Sequence, residues 1–255
     1  MSFEIKQLSK PELNKPILIE GLPGIGNVGK IAADFIVDNL KAKKFIEITS
    51  NSFPHSVFVN EKNLIDLPKI ELYYKKGKQD LIFLNGDVQP LNEESCYEFC
   101  NIILDIFSKH NGKEIITLGG IGMSKVPKHP LVYCTANNQN IIKKYKTPNL
   151  NPEIFGVVGP IIGVTGLLIG LASKRDTPAI ALLAQTLGHP NYLGIKGARE
   201  IIKILNSKLK FKLDLSKLDK EISNIEKEIK EKQLKFVQPA SIKKQDVEGE
   251  TTYIG

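Results

Sequence analysis

The sequence predicts an α/β fold: a mostly parallel sheet with helices on both faces, then a C-terminal helical extension and a flexible tail. Three observations carry this reading. Short apolar runs alternate with segments of helical period. Several of those runs end in glycine-rich or polar loops, as parallel strands do at their carboxyl ends. After residue 212 a heptad seam replaces the alternation. Residues 1–212 are therefore expected to form the α/β core, 213–236 a heptad-patterned helix, and 237–255 an arm. A chain of 255 residues with 42% hydrophobic and 25% charged residues has ordinary globular composition and enough length for one large core.

The first strand is expected at Pro16–Glu20, and a helix at Asn27–Leu40 follows a glycine loop. Gly24-x-Gly26-x-x-Gly29 satisfies the dinucleotide-binding fingerprint, and the same glycines with Lys30 satisfy most of a P-loop. Both patterns work by letting backbone N–H groups and a helix N-terminus meet an anion. The P-loop reading fails at the next residue, because Ile31 stands where a Mg²⁺-binding hydroxyl is needed. The dinucleotide reading needs a ribose-binding acid about 20 residues on. Glu47 stands there, but inside the run Phe45-Ile-Glu-Ile48 rather than at its end. The competing reading is a tight strand-to-helix turn whose glycines permit close packing. The sequence favours the turn and leaves Gly24, Gly26, Gly29 and Lys30 as a candidate ligand loop.

Further strands are expected at Lys44–Thr49, Ile70–Tyr74 and Asp80–Asn85, the last two joined as a hairpin that adds an antiparallel edge. A helix at Asn92–Lys109 and a strand at Glu114–Leu118 follow. Ile154–Ser173 contains no charged residue and is long enough for a bilayer. It is broken by Gly156, Gly159, Pro160, Gly163, Gly166 and Gly170, so it reads as strand Ile154–Val158, a loop and helix Val164–Ala172. Strand Ala179–Leu183 and helix Lys196–Leu209 complete the core.

Loops Gly21–Gly29, Asn85–Pro90, Gly119–Ser124 and Gly159–Gly166 are expected to line one rim. There Asp87 is the best-placed acid and Asn85 or Gln89 the best polar contact, although turn and cap roles suit them better. His55, His110, His129 and His189 are scattered and no nucleophile elbow is present, so no catalytic residue is assigned. Cys96, Cys100 and Cys134 cannot all pair and no histidines join them, which points to reduced buried thiols, no metal and a cytoplasmic setting. The net charge of +7 comes from lysines interleaved with acids, with arginine only at 175 and 199. That is a solvated surface rather than a nucleic-acid platform. Leu215, Leu218, Ile222, Ile225 and Ile229 form the heptad seam, and the polar arm ends in Thr252-Tyr-Ile-Gly255, an aromatic beside a free carboxylate.

Ile19-Glu-Gly-Leu-Pro-Gly-Ile-Gly-Asn-Val-Gly29, Gly86-Asp-Val-Gln-Pro90, Gly119-Gly-Ile-Gly122 and Gly163-Val-Thr-Gly-Leu-Leu168 occur in this order. Together, over residues 15–210, they resemble the proteasome assembly chaperone family, second-subunit type. The resemblance implies an α/β sandwich similar to nucleoside phosphorylases, without catalytic residues or cofactor. It also implies a homo-oligomer, tetrameric or pentameric, that binds the proteasome α-ring in assembly or as an ATP-independent activator. Archaeal members enter α-ring pockets with a C-terminal hydrophobic-Tyr-any motif. Carried over, Tyr253 is the anchor and Gly255 supplies the carboxylate, but Ile254 stands where the family has Tyr, so Tyr253 sits one residue early. The alternative is a nucleotide- or nucleoside-binding protein or enzyme that uses the glycine loop.

Overall fold

The computed structural model describes residues 2–216, 218–220 and 222–224. The strands are β1 (Phe3–Gln7), β2 (Ile17–Gly21), β3 (Lys43–Ser50), β4 (Phe58–Val59), β5 (Ile65–Asp66), β6 (Ile70–Lys75), β7 (Leu81–Gly86), β8 (Glu114–Met123), β9 (Val132–Ala136), β10 (Leu150–Asn151) and β11 (Ala179–Leu187). The helices are α1 (Val28–Leu40), α2 (Glu93–Lys109), α3 (Gln139–Tyr145), α4 (Val164–Ser173) and α5 (Ile195–Leu209). Nine strands form one sheet in the order β1-β3-β6-β7-β2-β8-β11-β9-β10, and β4 and β5 pair separately.

The centre of the sheet, β7-β2-β8-β11, is parallel throughout. β6 and β3 extend one side in antiparallel fashion, as the 73–80 hairpin predicted, and β9 extends the other. Every residue of β2 and β7 is buried, which is what two helical layers impose on strands between them. α2 and α4 pack together on one face, and α1 and α5 on the other. Period-two alternation sorts the strands between the layers. Leu18, Ile82, Leu84, Ile115 and Ala181 join Phe99, Ile103 and Leu168 in one core. The α2 start is fixed by Asn92, whose side chain accepts a 2.9 Å bond from the Ser95 N–H, with Glu93 and Glu94 favourable at the positive helix end. α3 is anchored where the Tyr145 hydroxyl donates to buried Glu114 at 2.6 Å and Lys144 pairs with the same carboxylate.

Two expectations fail here. Ile154–Val158 is not a strand: Phe155 is fully exposed, Gly156 adopts φ 78°, and β9 takes the place beside β11. Gly119–Met123 is not a loop but the end of β8, paired along its length with β11. Glycine there permits close backbone approach, since a Cβ on Gly120 would collide with the Ile25 carbonyl oxygen.

The chain divides into two units, Met1–Leu215 and Ser216–Gly255. In the second, Ser216 and residues 218–220 and 222–224 are helical, and Leu218 of the heptad seam is buried. Residues 225–255, with Ile225, Ile229 and the tip Tyr253, Ile254 and Gly255, lie outside the described residues.

The strand-to-helix turn is a packing device. Gly26 has φ 61°, and a Cβ there would sit 2.7 Å from the Thr186 hydroxyl oxygen. A Cβ on Gly29 would collide with the Leu118 carbonyl oxygen, and one on Gly21 with Ala33 and the Gly29 carbonyl. Gly24 is extended, with nothing within 4 Å of its Cβ position. Gly29→Ala is therefore expected to destabilise the protein by about 1–3 kcal/mol through overpacking, despite alanine's better helix propensity. Gly24→Ala should stay within about 0.5 kcal/mol of wild type. Denaturant unfolding midpoints check both.

Candidate functional site

The central strands end at a crevice of about 480 Å³. Gly24, Ile25 and Gly29 form one wall, Gly119–Gly122 of β8 another, and Val157–Ile162 a third, with Thr165 and Leu183 lower down. This is the place where open α/β sheets bind ligands. Its lining carries no charged side chain.

The predicted site residues separate around it. Gly24 and Gly29 line the crevice, whereas Gly26 packs on Thr186. Lys30 does not line it; the ammonium pairs with Asp34 one helical turn on, at 3.0 Å. Asp34 also accepts a 2.9 Å bond from the Asn85 side-chain amide, and that bond ties α1 to β7. Glu47 lies on β3, separated from β2 by β6 and β7, and bonds Lys44 at 3.3 Å. The acid that the dinucleotide reading needs is therefore far from the glycines, because β3 does not pair with β2. Asp87 follows β7 at the open end of the β6–β7 hairpin, where its N–H donates to the Lys69 carbonyl at 3.0 Å. The four histidines lie on different segments: His55 after β3, His110 capping α2, His129 after β8 and His189 after β11.

Gln89 does reach the crevice, as a brace. Its amide nitrogen donates to the Pro23 carbonyl and its oxygen accepts a 2.9 Å bond from the Val164 N–H at the start of α4. The residues that sequence reasoning missed are Glu20 and Thr165. Glu20, fully buried at the end of β2, accepts 2.9 Å from the Leu22 N–H and 3.2 Å from the Thr165 hydroxyl. A lone acid closing an otherwise apolar strand was the available signal. Burial pushes the Glu20 carboxyl up from 4.5 to about 7, against the pull of the Leu22 and Thr165 bonds. Glu20 and Gln89 thus tie the glycine loop to α4 twice.

Among the described residues there is no His, Cys, Asp or Glu cluster able to hold a metal ion, and no helix long and apolar enough to cross a membrane. The three cysteines are buried and free. Burial raises the Cys134 thiol to about 11, which keeps it protonated.

These features define an α/β scaffold in which glycines bring backbone against backbone beneath an uncharged crevice. The sequence profile of the PAC2 family matches residues 18–233, and the chain belongs to that family. The Methanocaldococcus jannaschii protein MJ1210 is 29% identical, with 100% of both chains covered. The crystal structure of Pyrococcus furiosus PbaB, an archaeal proteasome activator, is 31% identical, with a TM-score of 0.84 over 91% of this chain and 99% of that one. Pyrococcus furiosus PbaA, an archaeal homologue of proteasome-assembly chaperone, shares the fold at 24% identity and a TM-score of 0.74, covering 91% of this chain and 92% of that one.

The Glu20 environment has a pH signature. The folded value lies above the unfolded 4.5, so the folded chain holds the proton more tightly. The contribution of Glu20 to stability is fully present below about pH 4.5 and is lost as the pH rises through about 7. At about 1.4 kcal/mol per tenfold change in proton affinity, the difference is worth roughly 3 kcal/mol. Between pH 4.5 and 8, Glu20→Gln should gain that amount of stability relative to wild type. Parallel unfolding curves for the two proteins across this range would refute the assignment.

Proposed function

We propose that this chain is a non-catalytic proteasome-binding protein, an assembly chaperone or ATP-independent activator, that docks its C-terminal tail on the proteasome α-ring. The observation that carries the reading is the match to PbaB, described as an archaeal proteasome activator, over 91% of this chain at 31% identity. The crevice supports it from the other side: an uncharged lining offers no acid–base pair and no cation for a phosphate. In this reading residues 1–212 are the body, 213–236 the helix that carries the arm, and 237–255 the arm itself. Tyr253 anchors the tip, Ile254 flanks it and Gly255 gives the carboxylate. Several bodies associate, as a tetramer or pentamer, and present several arms in the cytoplasm.

The test is binding to an archaeal-type core particle by surface plasmon resonance. Deleting 252–255 should weaken binding at least about tenfold, which is about 1.4 kcal/mol. Undiminished binding by the truncated chain would overturn tail docking. Ile254→Tyr restores a penultimate tyrosine and is expected to bind more tightly than wild type. Titration calorimetry with a nucleotide panel decides the competing ligand-loop reading: the proposal expects no heat, whereas binding lost on Gly24→Val, a crevice-lining position with open space for a side chain, would establish the alternative.

A further inference from the structure

Cys96 and Cys100 stand four residues apart on α2, so their side chains share its buried face. The two sulfurs are not equivalent. Cys100 is fully buried, whereas Cys96 is 8% exposed and lines a groove of about 430 Å³. The Cys100 thiol donates a hydrogen bond to the Cys96 sulfur, which holds Cys96 below the usual thiol value against the opposing effect of burial. The same bond, with burial, pushes Cys100 far up, so the inner thiol keeps its proton. Cys96 also closes the first turn of α2, where its N–H donates to the Asn92 carbonyl at 3.0 Å. The positive helix end favours a thiolate there. Cys134 is a different case: it is buried on β9 and burial alone holds it protonated.

The groove that reaches Cys96 is apolar. Leu91 and Tyr97 line it from the α2 side, and Ile161, Ile162 and Leu167 from the α4 side. Among the described residues its lining holds one charged group, the Glu93 carboxylate. The space comes from missing side chains on α4. Gly166 and Gly170 are one turn apart and both line the groove, and a Cβ on Gly170 would meet nothing within 4 Å. Such a groove seats an uncharged apolar body and disfavours an anion. A thiolate inside it adds a second demand, since sulfur of this kind attacks soft carbon. One class of molecule meets both.

We propose that Cys96 is a covalent ligand site for uncharged, apolar α,β-unsaturated carbonyl compounds, whose apolar body fills the groove between α2 and α4. The Cys96 thiolate adds to the β-carbon. The S–C bond forms, the C=C π pair moves toward the carbonyl, and the proton that Cys96 gave to water returns from water to the α-carbon. Nothing is oxidised and no group leaves: thiol and alkene become a thioether. Cys100 is a positioning residue whose S–H steadies the thiolate. Ile161 and Ile162 line this groove and the crevice at the strand ends alike. An adduct on Cys96 therefore bears on the segment that walls the crevice. The site is separate from the tail tip, so its failure would leave tail docking untouched.

The test is labelling of the folded full chain with N-phenylmaleimide, an uncharged apolar member of the class, read by intact mass and peptide mapping. One adduct per chain is expected, on Cys96, with Cys100 and Cys134 unmodified. Rates are divided by those of N-acetylcysteine to remove each probe's intrinsic reactivity. On that scale N-phenylmaleimide should exceed N-ethylmaleimide about tenfold, because its ring buries more apolar surface. Gly170→Leu fills the groove and removes a glycine from a helix interior, so it should fold and erase the phenyl preference. Cys100→Val removes the donor and should slow Cys96 about tenfold, whereas Cys100→Ser keeps a donor and should retain the rate. If Cys100→Val does not fold, Cys100→Ala replaces it with the same expectation. Modification of Cys100 or Cys134 ahead of Cys96, or of Cys96 only at the rate of global unfolding, overturns the site. A phenyl preference that is absent in wild type or survives Gly170→Leu overturns the groove as its seat. Equal rates for the valine and serine variants overturn the role of Cys100.

Discussion

The structure depends on one constraint: α1 must lie against the central strands closer than any side chain allows. Gly29 faces the Leu118 carbonyl, Gly21 faces Ala33 and the Gly29 carbonyl, and Gly120 faces the Ile25 carbonyl, each with no room for a Cβ. This contact sets where the first loop lies and where β8 ends. It also leaves one wall of the crevice as bare backbone. Dispersion in such a contact is strong because atoms meet at packing distance over a continuous strip. The cost is the flexibility of glycine in the unfolded chain, which the packed helix must offset. A loop committed in this way on its inner side is poorly placed to move around a ligand.

The second constraint is the buried carboxyl of Glu20. A charge in that position is expensive, and the two hydrogen bonds it accepts offset only part of the cost. The group is retained where it joins the glycine loop to α4, and Gln89 repeats the connection with a neutral amide. Both ties meet the first turn of α4, at Val164 and Thr165, and so fix where that helix begins against the glycine loop.

Much of this was legible in the sequence. Fully covered strands read as continuous apolar runs, so β2, β7 and β11 follow from pattern, and α2 from its helical period. What escaped detection had weak local signals. β1 alternates charged and apolar residues at a sheet edge, and β9 and β10 are short and depend on neighbours distant in sequence. Ile154–Val158 looked like a strand because apolar content alone cannot distinguish a buried strand from an exposed loop. Its Gly156 conformation decides otherwise. The Gly24–Gly29 pattern shows the same ambiguity at the site. The fingerprint specifies glycines, but the spacing does not say whether they face a phosphate or a carbonyl. Here Gly29 faces the carbonyl of Leu118, and Glu47 is removed by strand order, a property of the whole sheet that no local window contains.

In the proposed reading the tail tip departs from the family's motif, with Tyr253 one residue before the penultimate position. A tip with tyrosine one residue early loses part of its fit, and a tenfold loss is only about 1.4 kcal/mol. If copies associate, the second tail acts at an effective concentration fixed by the arm, and avidity of about 10²–10⁴ exceeds that loss.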